Sequence, residues 1–380
     1  MTFFVIITIV FTACYVFLIA YYFIGWMNLK EYKPEDKILS TKISVIIPCR
    51  NEEENILNLL QDLKDQLYTE SLYEIIVVDD HSTDNIMQAI KTINIANVRY
   101  VRLPDIPDKN MNKPFGKKAA ITYGIEQSSG ELIVTTDADC HVGHHWLRTI
   151  AAYYEEHKPV MIAGMVSYFY DSSFLGKFQT LDFLSLVGIA AASIQNGFYN
   201  LCNGANLAYT KKAFYEVEGF KNIDHIPTGD DMLLMHKMAA QFPHKIATLK
   251  SKDAMVLTHT IKDFSSFWQQ RTRWTSKATH YEDKRITGIL VFAYSFNALL
   301  VCNLLAGLFS SEFLKIAMFQ FLAKICVDTV FIYSVAKFFR KENLLWLFLP
   351  MQALHTIYIL AIAPAGVFGK YSWKGRIIKK

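Results

Sequence analysis

From Phe3 to Trp26 the chain carries no charged side chain. A membrane-spanning helix needs about 20 mostly apolar residues, and this stretch meets that length. A cleaved signal peptide calls for a basic start, a shorter apolar core and a small-residue cleavage site. Here the chain opens Met-Thr-Phe-Phe, the apolar core is longer, and Trp26 stands where an interfacial aromatic belongs. Residues 1–27 therefore read as a retained anchor. Lys30, Lys33, Lys37 and Lys42 follow it and nothing basic precedes it. The excess of lysine on the cytoplasmic side of membrane proteins then puts the N-terminus outside, with the linker 28–42 and all that follows in the cytoplasm.

The C-terminal third, residues 286–369, repeats the apolar signal. Ile286 to Phe309 is uncharged, Leu344 to Phe368 is interrupted by Pro350, His355 and Pro364, and Phe313 to Phe339 between them carries Lys315, Lys324 and Asp328. Lys324 and Asp328 stand four apart, on one face of a helix, where they can pair. Charges inside a membrane are either functional or form a packing pair shielded from lipid. Three C-terminal spans would place the basic tail 370–380 outside, against the charge rule, so the number of spans stays open.

Between these ends the pattern changes. Ile43–Ile47, Glu74–Val78, Val98–Leu103 and Leu132–Thr136 are short β-branched runs, and they alternate with helical spacing such as Ile56, Leu59, Leu60 and Leu63. Asn51 reads as the N-cap of that helix, with Glu54 as its capping-box partner. Strand–helix alternation predicts an α/β domain over 43–258 with a mostly parallel sheet and ligands beyond the strands' carboxyl ends. Acidic residues fall at those ends: Asp79 and Asp80 after one strand, Asp137 and Asp139 after another. The net charge of +4 is too mild to argue for nucleic acid. The six scattered cysteines form no CxxC pair, which suits neither a zinc site nor a disulfide framework and is compatible with a reducing compartment.

Thr135-Thr-Asp-Ala-Asp139 places two carboxylates around one small residue at a strand end. Such a pair can hold a hard cation and leave positions open for substrate oxygens; capping of the next helix is the plainer reading. Pro114-Phe-Gly-Lys-Lys118 offers lysines ahead of a helix, able to meet a diphosphate or simply solvated. Of Asp230 and Asp231, which open a helix running to Met238, one can cap it and the other can serve as a general base. Gln270-Arg-Thr-Arg-Trp274 lies within 259–285, where Phe264, Phe267 and Trp268 suit an interfacial helix.

Pro48-Cys-Arg-Asn-Glu52, Val78-Asp-Asp-His-Ser-Thr-Asp84, Gly116-Lys117, Asp137-Ala-Asp139, Asn203-Gly-Ala-Asn206, Gly229-Asp-Asp231 and Gln270-Arg-Thr-Arg-Trp274 stand in the order found in family 2 glycosyltransferases. Over about Ile43 to Trp274 the chain resembles the membrane-bound branch that holds cellulose, hyaluronan and poly-N-acetylglucosamine synthases and ceramide glucosyltransferase. Two features depart from the family pattern: Asp230 stands where members often have Glu, and His141, His144 and His145 are extra. A third metal ligand among those histidines is the lesser reading beside surface or helix-start roles.

The resemblance implies a GT-A-like, Rossmann-type nucleotide-sugar domain with flanking transmembrane helices. It implies that Asp80, with Asp79 beside it, meets the uracil or ribose. Lys117 would meet the diphosphate, Asp137 would sit near the ribose and metal, and Asp139 would bind Mg²⁺ or Mn²⁺. Asp231 would be the catalytic base, and Gln270, Arg273 and Trp274 would border the acceptor entrance and the diphosphate. The partners implied are a nucleotide sugar, a membrane lipid or glycan acceptor and the bilayer, with no nucleic acid. One base and direct displacement imply inversion at the anomeric carbon, and the apolar segments imply a multi-pass enzyme of the cell membrane. Three C-terminal segments are thin for a polymer channel, so a single addition of sugar, from UDP, to a lipid or lipid-like acceptor is favoured over processive polysaccharide synthesis. A nucleotidyl or phosphosugar transferase would also use carboxylate-bound Mg²⁺ but leaves Gln270 to Trp274 unexplained.

Overall fold

The structure is a computed structural model that describes residues 2–93, 95–104, 116–373 and 376–378. Pro114 and Phe115, and Lys374, Lys379 and Lys380 of the basic tail, lie outside the described residues. In chain order the elements are α1 (Thr2–Asn28), β1 (Ile43–Cys49), α2 (Glu53–Lys64), β2 (Tyr73–Asp79), α3 (Ile86–Thr92), β3 (Val98–Arg102), α4 (Lys117–Glu126), β4 (Leu132–Thr135), β5 (His141–Val142) and α5 (Trp146–His157). There follow β6 (Met161–Gly164), β7 (Val166–Tyr168), α6 (Phe174–Gln195), β8 (Leu207–Thr210), α7 (Lys211–Glu216), α8 (Met232–Gln241), β9 (Ile246–Leu249) and β10 (Val256–Thr258). The chain ends with α9 (Phe264–Thr275), α10 (Lys284–Ala306), α11 (Ser311–Phe338), α12 (Phe348–Phe368) and the hairpin β11 (Tyr371–Trp373) and β12 (Arg376–Ile378).

The chain divides into two compact units. The α/β unit comprises Leu29–Tyr170 and Ser193–Thr260, and the helical unit comprises Met1–Asn28, Asp171–Ala192 and Ile261–Lys380. In the α/β unit a seven-stranded sheet has the order β3-β2-β1-β4-β8-β6-β9. Strands β1, β2, β3 and β4 are mutually parallel, β6 and β9 are parallel, and β8 runs antiparallel to both β4 and β6. The sheet is thus mixed through one reversed strand. Val45, Ile46 and Ile47 of β1 and Ile75 to Val78 of β2 are wholly buried, as near-continuous apolar strands covered on both faces must be. A second sheet has the order β5-β10-β7.

From β1 the chain turns to β2 on one side and reaches β4 on the other. That reversal of strand order opens a crevice at the carboxyl ends of β1 and β4. The register aligns Cys49 with Asp79, so the loops after β1 and β2 lie together. Here the capping box expected at Asn51 and Glu54 is corrected. Helix α2 has Glu52 at its N-cap position with no side-chain cap, and Asn51 sits in the left-handed region at φ 53°. The Asn51 side chain is used elsewhere: its Oδ1 accepts from the Thr83 amide at 2.8 Å, while its own amide donates to Ser82 Oγ at 2.9 Å. The Glu53 amide donates to Asp84 Oδ2 and the Asn85 amide to Glu53 Oε2, both at 2.9 Å. The two loops are therefore laced to each other rather than each closing its own helix.

Among the described residues, five helices are long and apolar enough to cross a membrane, by length and composition: Phe4–Asn28, Phe174–Gln195, Lys284–Ala306, Ser311–Phe338 and Glu342–Phe368. Four leave most of their apolar window exposed, being 22–33% buried, whereas Phe174–Gln195 is 67% buried. A helix sheathed to that degree by protein has little surface left for lipid. The sequence reading places this helix inside 43–258; the structure groups Asp171–Ala192 with the helical unit instead. Within that unit Lys324 and Asp328 do pair, at 2.5 Å, with Tyr15 donating to Asp328 Oδ1 and Lys324 donating to Gln352 Oε1. Both charges of this pair are met by a further side chain, as an apolar surrounding requires.

Candidate active site

At the carboxyl end of β2, Asp79 and Asp80 are both buried. Asp79 is fully engaged: Oδ1 accepts from the Ser82 amide at 2.9 Å and Oδ2 from the Tyr100 hydroxyl at 2.8 Å. Burial and then the Asp79 carboxylate push the Tyr100 phenol above its ordinary range, which keeps it a donor. Asp79 thus shapes the loop. Asp80 Oδ1 lies 3.2 Å from His81 Nδ1, and the Asp80 carbonyl accepts from Arg50.

Beyond β4 the carboxylates and lysines converge. Gly116 takes φ 64° ahead of α4, a left-handed conformation open to glycine, and Lys117 begins the helix. Lys117 Nζ lies 2.6 Å from Asp137 Oδ1 and 3.3 Å from Asp230 Oδ2. Burial alone would lower the pKa of this ammonium, but Asp137, Asp230 and Asp231 outweigh that, and the net shift is upward. Lys117 is therefore a fixed cation. Asp137 and Asp139 are half-buried and close to the strand end, and Cys140 behind them is buried. Burial, with the negative charge of Asp139 and Asp137, pushes the Cys140 thiol well up.

Asp231 occupies the N-cap position of α8. Its Oδ1 accepts from the Met232 amide at 2.7 Å and its Oδ2 from the Gly204 amide at 3.2 Å. The Asn203–Asn206 segment is itself anchored. Thr135 Oγ1 donates to the Gly204 carbonyl at 3.1 Å, Trp146 Nε1 donates to Asn206 Oδ1 at 3.1 Å, and Asn206 Nδ2 donates to the Met165 and Ala254 carbonyls at 2.8 Å. A methyl group on Gly204 would stand 3.3 Å from Asp230 Oδ2 and 3.4 Å from Lys117 Nζ, so a side chain here presses on the cluster. The structure thus brings Lys117, Asp230 and Asp231 around one glycine, with Asp137 on the Lys117 ammonium. Thr135, Trp146 and Asn206 were not singled out from sequence as positioning groups, and only the Asn203–Asn206 motif signalled them.

The extra histidines bond away from the Asp137–Asp139 pair. His141 Nδ1 lies 2.9 Å from Asp62 Oδ2, His144 Nδ1 lies 3.0 Å from the Asp65 carbonyl, and His145 precedes α5. Among the described residues no group of three or more His, Cys, Asp or Glu side chains converges as a metal cage. Asp137 and Asp139 are nevertheless hard oxygen donors, and a carboxylate pair completed by phosphate oxygens and water is a donor set that suits Mg²⁺ or Mn²⁺.

Gln270, Arg273 and Trp274 lie on α9 in the helical unit. Gln270 Oε1 is buried and has no hydrogen-bond partner among the described residues. The residue between them, Arg271, is the most buried arginine of the motif, at 2% exposure. It pairs with Asp182 of α6 at 3.1 Å and stacks over the Trp274 ring at 4.3 Å, while His355 of α12 lies 3.4 Å from the same carboxylate. Sequence reasoning missed Arg271, Asp182 and His355; the second arginine of the motif was the available sign.

The family model described as glycosyl transferase family group 2 matches residues 132–363, and that of glycosyl transferase family 2 matches residues 44–217. The chain belongs to the family 2 glycosyltransferases. This family 2 member is 26% identical over 273 residues to the poly-beta-1,6-N-acetyl-D-glucosamine synthase of Staphylococcus epidermidis, covering 68% of this chain and 62% of that one. It is 36% identical over 100 residues to the undecaprenyl-phosphate 4-deoxy-4-formamido-L-arabinose transferase of Proteus mirabilis, covering 26% of this chain and 29% of that one. The chain thus spans less than two thirds of the length of these curated relatives. Among solved structures it is similar to a mannosyltransferase from Pyrobaculum calidifontis in complex with GDP-Man and Mn²⁺, with a TM-score of 0.61, 18% identity, and coverage of 96% of this chain and 98% of that one. At that identity the likeness carries the fold: the expected GT-A-like α/β domain with flanking apolar helices is borne out, as is the family resemblance.

Proposed function

We propose that this chain is a membrane-bound, inverting glycosyltransferase that moves a sugar from a nucleotide sugar, a UDP-sugar in the first instance, to a lipid or lipid-like acceptor. The observation that carries this reading is the cluster of Lys117, Asp137, Asp230 and Asp231 at the β4 end. It joins a permanent cation to carboxylates of two different kinds. Asp230 is ion-paired with Lys117, and Asp231 is held by backbone amides. A carboxylate accepting two backbone amide bonds is held in one orientation, as a general base must be. That favours Asp231 over Asp230 as base.

In this reading Asp231 removes the acceptor hydroxyl proton, the acceptor oxygen bonds to the anomeric carbon, and the bond from that carbon to the diphosphate oxygen breaks on the opposite face. The developing negative charge on the diphosphate is met by Lys117, and the diphosphate role of Arg273 rests on the family resemblance alone. Asp80 meets the nucleoside, with Asp79 fixing its loop. Asp137 and Asp139 would hold Mg²⁺ or Mn²⁺, and that ion supplies charge neutralisation of the diphosphate. The similarity to a mannosyltransferase solved with GDP-Man and Mn²⁺ supports a divalent ion and a nucleotide sugar in a fold of this kind. The relative named for an undecaprenyl-phosphate transferase supports a lipid-linked acceptor, and the poly-N-acetylglucosamine synthase keeps chain extension as the alternative. Gln270 and Trp274 are assigned to the acceptor entrance, and the α/β unit to the cytoplasmic side of a multi-pass protein.

The test feeds membranes containing active or Asp231→Asn protein with a panel of nucleotide sugars, and reads lipids and polymer by mass spectrometry. A sugar-bearing lipid that depends on Asp231 supports the proposal. Polymer in its place moves the function to processive synthesis. A product carrying the nucleotide itself overturns glycosyl transfer.

A further inference from the structure

Lys118, next to the donor lysine, has a separate structural task. Its side chain is 2% exposed. Its Nζ donates to the Ile223 carbonyl and, at 2.9 Å, to the Ile226 carbonyl, with the Phe220 ring centroid at 6.0 Å. These partners belong to the irregular segment between α7 and α8 that delivers Asp230 and Asp231. That segment contains three residues beyond α7 in the left-handed region besides Gly229: Glu218, Gly219 and Asn222. A chain with so many turns has few ladder bonds of its own, and its carbonyls need outside donors. Lys237 of α8 supplies two more, donating to the Gly219 carbonyl at 2.6 Å and the Lys221 carbonyl at 2.8 Å.

The first turn of α4 therefore grips the segment twice. Lys117 reaches the Asp230 carboxylate, and Lys118, one residue on and turned by about 100° around the helix, reaches the carbonyls four and seven residues before Asp230. The two grips differ in what they do when donor arrives. A diphosphate competes for Lys117, because it offers the same cation several oxygens in place of a carboxylate. It cannot reach the carbonyl cage of Lys118, which is closed to solvent. We infer that Lys118 is a positioning residue for the general base: it keeps the 223–231 segment, and with it Asp231, in register with the donor site while Lys117 is engaged by the diphosphate.

This rests on the reading of Asp231 as base. Lys118→Met removes the donors, Lys118→Arg keeps a cation that can serve two carbonyls, and Asp231→Asn tests the parent reading. Full-length protein in nanodiscs is assayed for Mn²⁺-dependent UDP binding. Nucleotide release is assayed from a mixture of UDP-N-acetylglucosamine, UDP-glucose and GDP-mannose with a membrane lipid extract. Lys118→Met is expected to bind UDP within about twofold of the parent yet to lose at least about tenfold in kcat per folded molecule, and Lys118→Arg to recover most of it. A purely structural lysine would lower the melting temperature and leave kcat per folded molecule unchanged; that outcome, with Asp231→Asn inactive, overturns the inference and leaves the base in place. An active Asp231→Asn overturns both. Where Lys118→Met does not accumulate, Lys118→Gln, whose shorter side chain cannot span both carbonyls, is read by the same criteria.

Discussion

Asp230 and Asp231 stand side by side, and their surroundings separate them. Asp231 both caps α8 and faces Gly204, so loss of its charge has two possible costs. A lost cap costs about 0.5–2 kcal/mol of stability and leaves chemistry alone. A lost base costs turnover at intact donor binding. Asp231→Asn, which keeps an oxygen for one of the two amides, is expected to fold with some loss of stability and to bind UDP while losing at least about 10²-fold in turnover. Asp230→Asn frees Lys117 from one of its carboxylates and is expected to be milder. A dead Asp230→Asn beside an active Asp231→Asn would exchange the two roles. The Asp137–Asp139 pair gives a second outcome at this scale. Chelation by EDTA is expected to abolish transfer and Mn²⁺ or Mg²⁺ to restore it, and Asp139→Asn is expected to remove metal-dependent UDP binding as measured by calorimetry. Full transfer in excess EDTA would refute the metal role. These carboxylates were legible in the sequence because each follows an apolar strand run directly, so the strand end and the acid are read together. Lys118 was not legible. Its partners are backbone carbonyls 105 and 108 residues away, and a carbonyl leaves no mark in a sequence.

Among the elements, α6 and α9 show what periodicity cannot convey. Helix α6 carries Lys177 and Asp182, whereas α1 is uncharged from Phe3 to Trp26, so the apolar length of α6 is broken up by charge in the sequence. The charge at Asp182 has a reason that lies in other elements: Arg271 on α9 and His355 on α12 both meet it. The same cluster seats the Trp274 ring on Arg271, so the sequence signal of the Gln270–Trp274 motif depends on a helix about ninety residues upstream. Breaking one side of a buried ion pair leaves the other charge uncompensated and costs about 3–5 kcal/mol, whereas replacing both sides by apolar groups can be close to neutral. Asp182→Asn is accordingly expected to lower the thermal midpoint of the detergent-solubilised protein markedly. The double change Asp182→Leu with Arg271→Met is expected to be more stable than Asp182→Asn alone. A double variant less stable than Asp182→Asn would show that the pair contributes net stability beyond its own desolvation.

For the whole molecule, the division into an α/β unit and a helical unit was legible in outline, since strand runs and long apolar runs do not overlap in the sequence. The exception is Asp171–Ala192, which leaves the α/β unit in mid-chain and returns to it at Ser193. The proposed topology takes as spans the helices with lipid-compatible surfaces. Four apolar windows are 22–33% buried, and the fifth, Phe174–Gln195, is mostly covered. In the topology we propose, those four helices span the membrane and put the first and last described residues on the same face. The lysines at 30, 33, 37 and 42 argue that this face is the outer one, with the α/β unit in the cytoplasm. In a background freed of native cysteines, Ser71→Cys, on an exposed site of the α/β unit, is expected to be protected from an impermeant maleimide in intact cells and to react after permeabilisation. Lys370→Cys is expected to react from outside, although the tail that follows is basic. Labelling of Ser71→Cys in intact cells would invert the protein. Protection of both sites would mean that one of α10, α11 and α12 enters and leaves on the same side. Helix α12, with Pro364 inside it, is the natural choice, because proline frees a backbone carbonyl that only neighbouring protein or water can then satisfy.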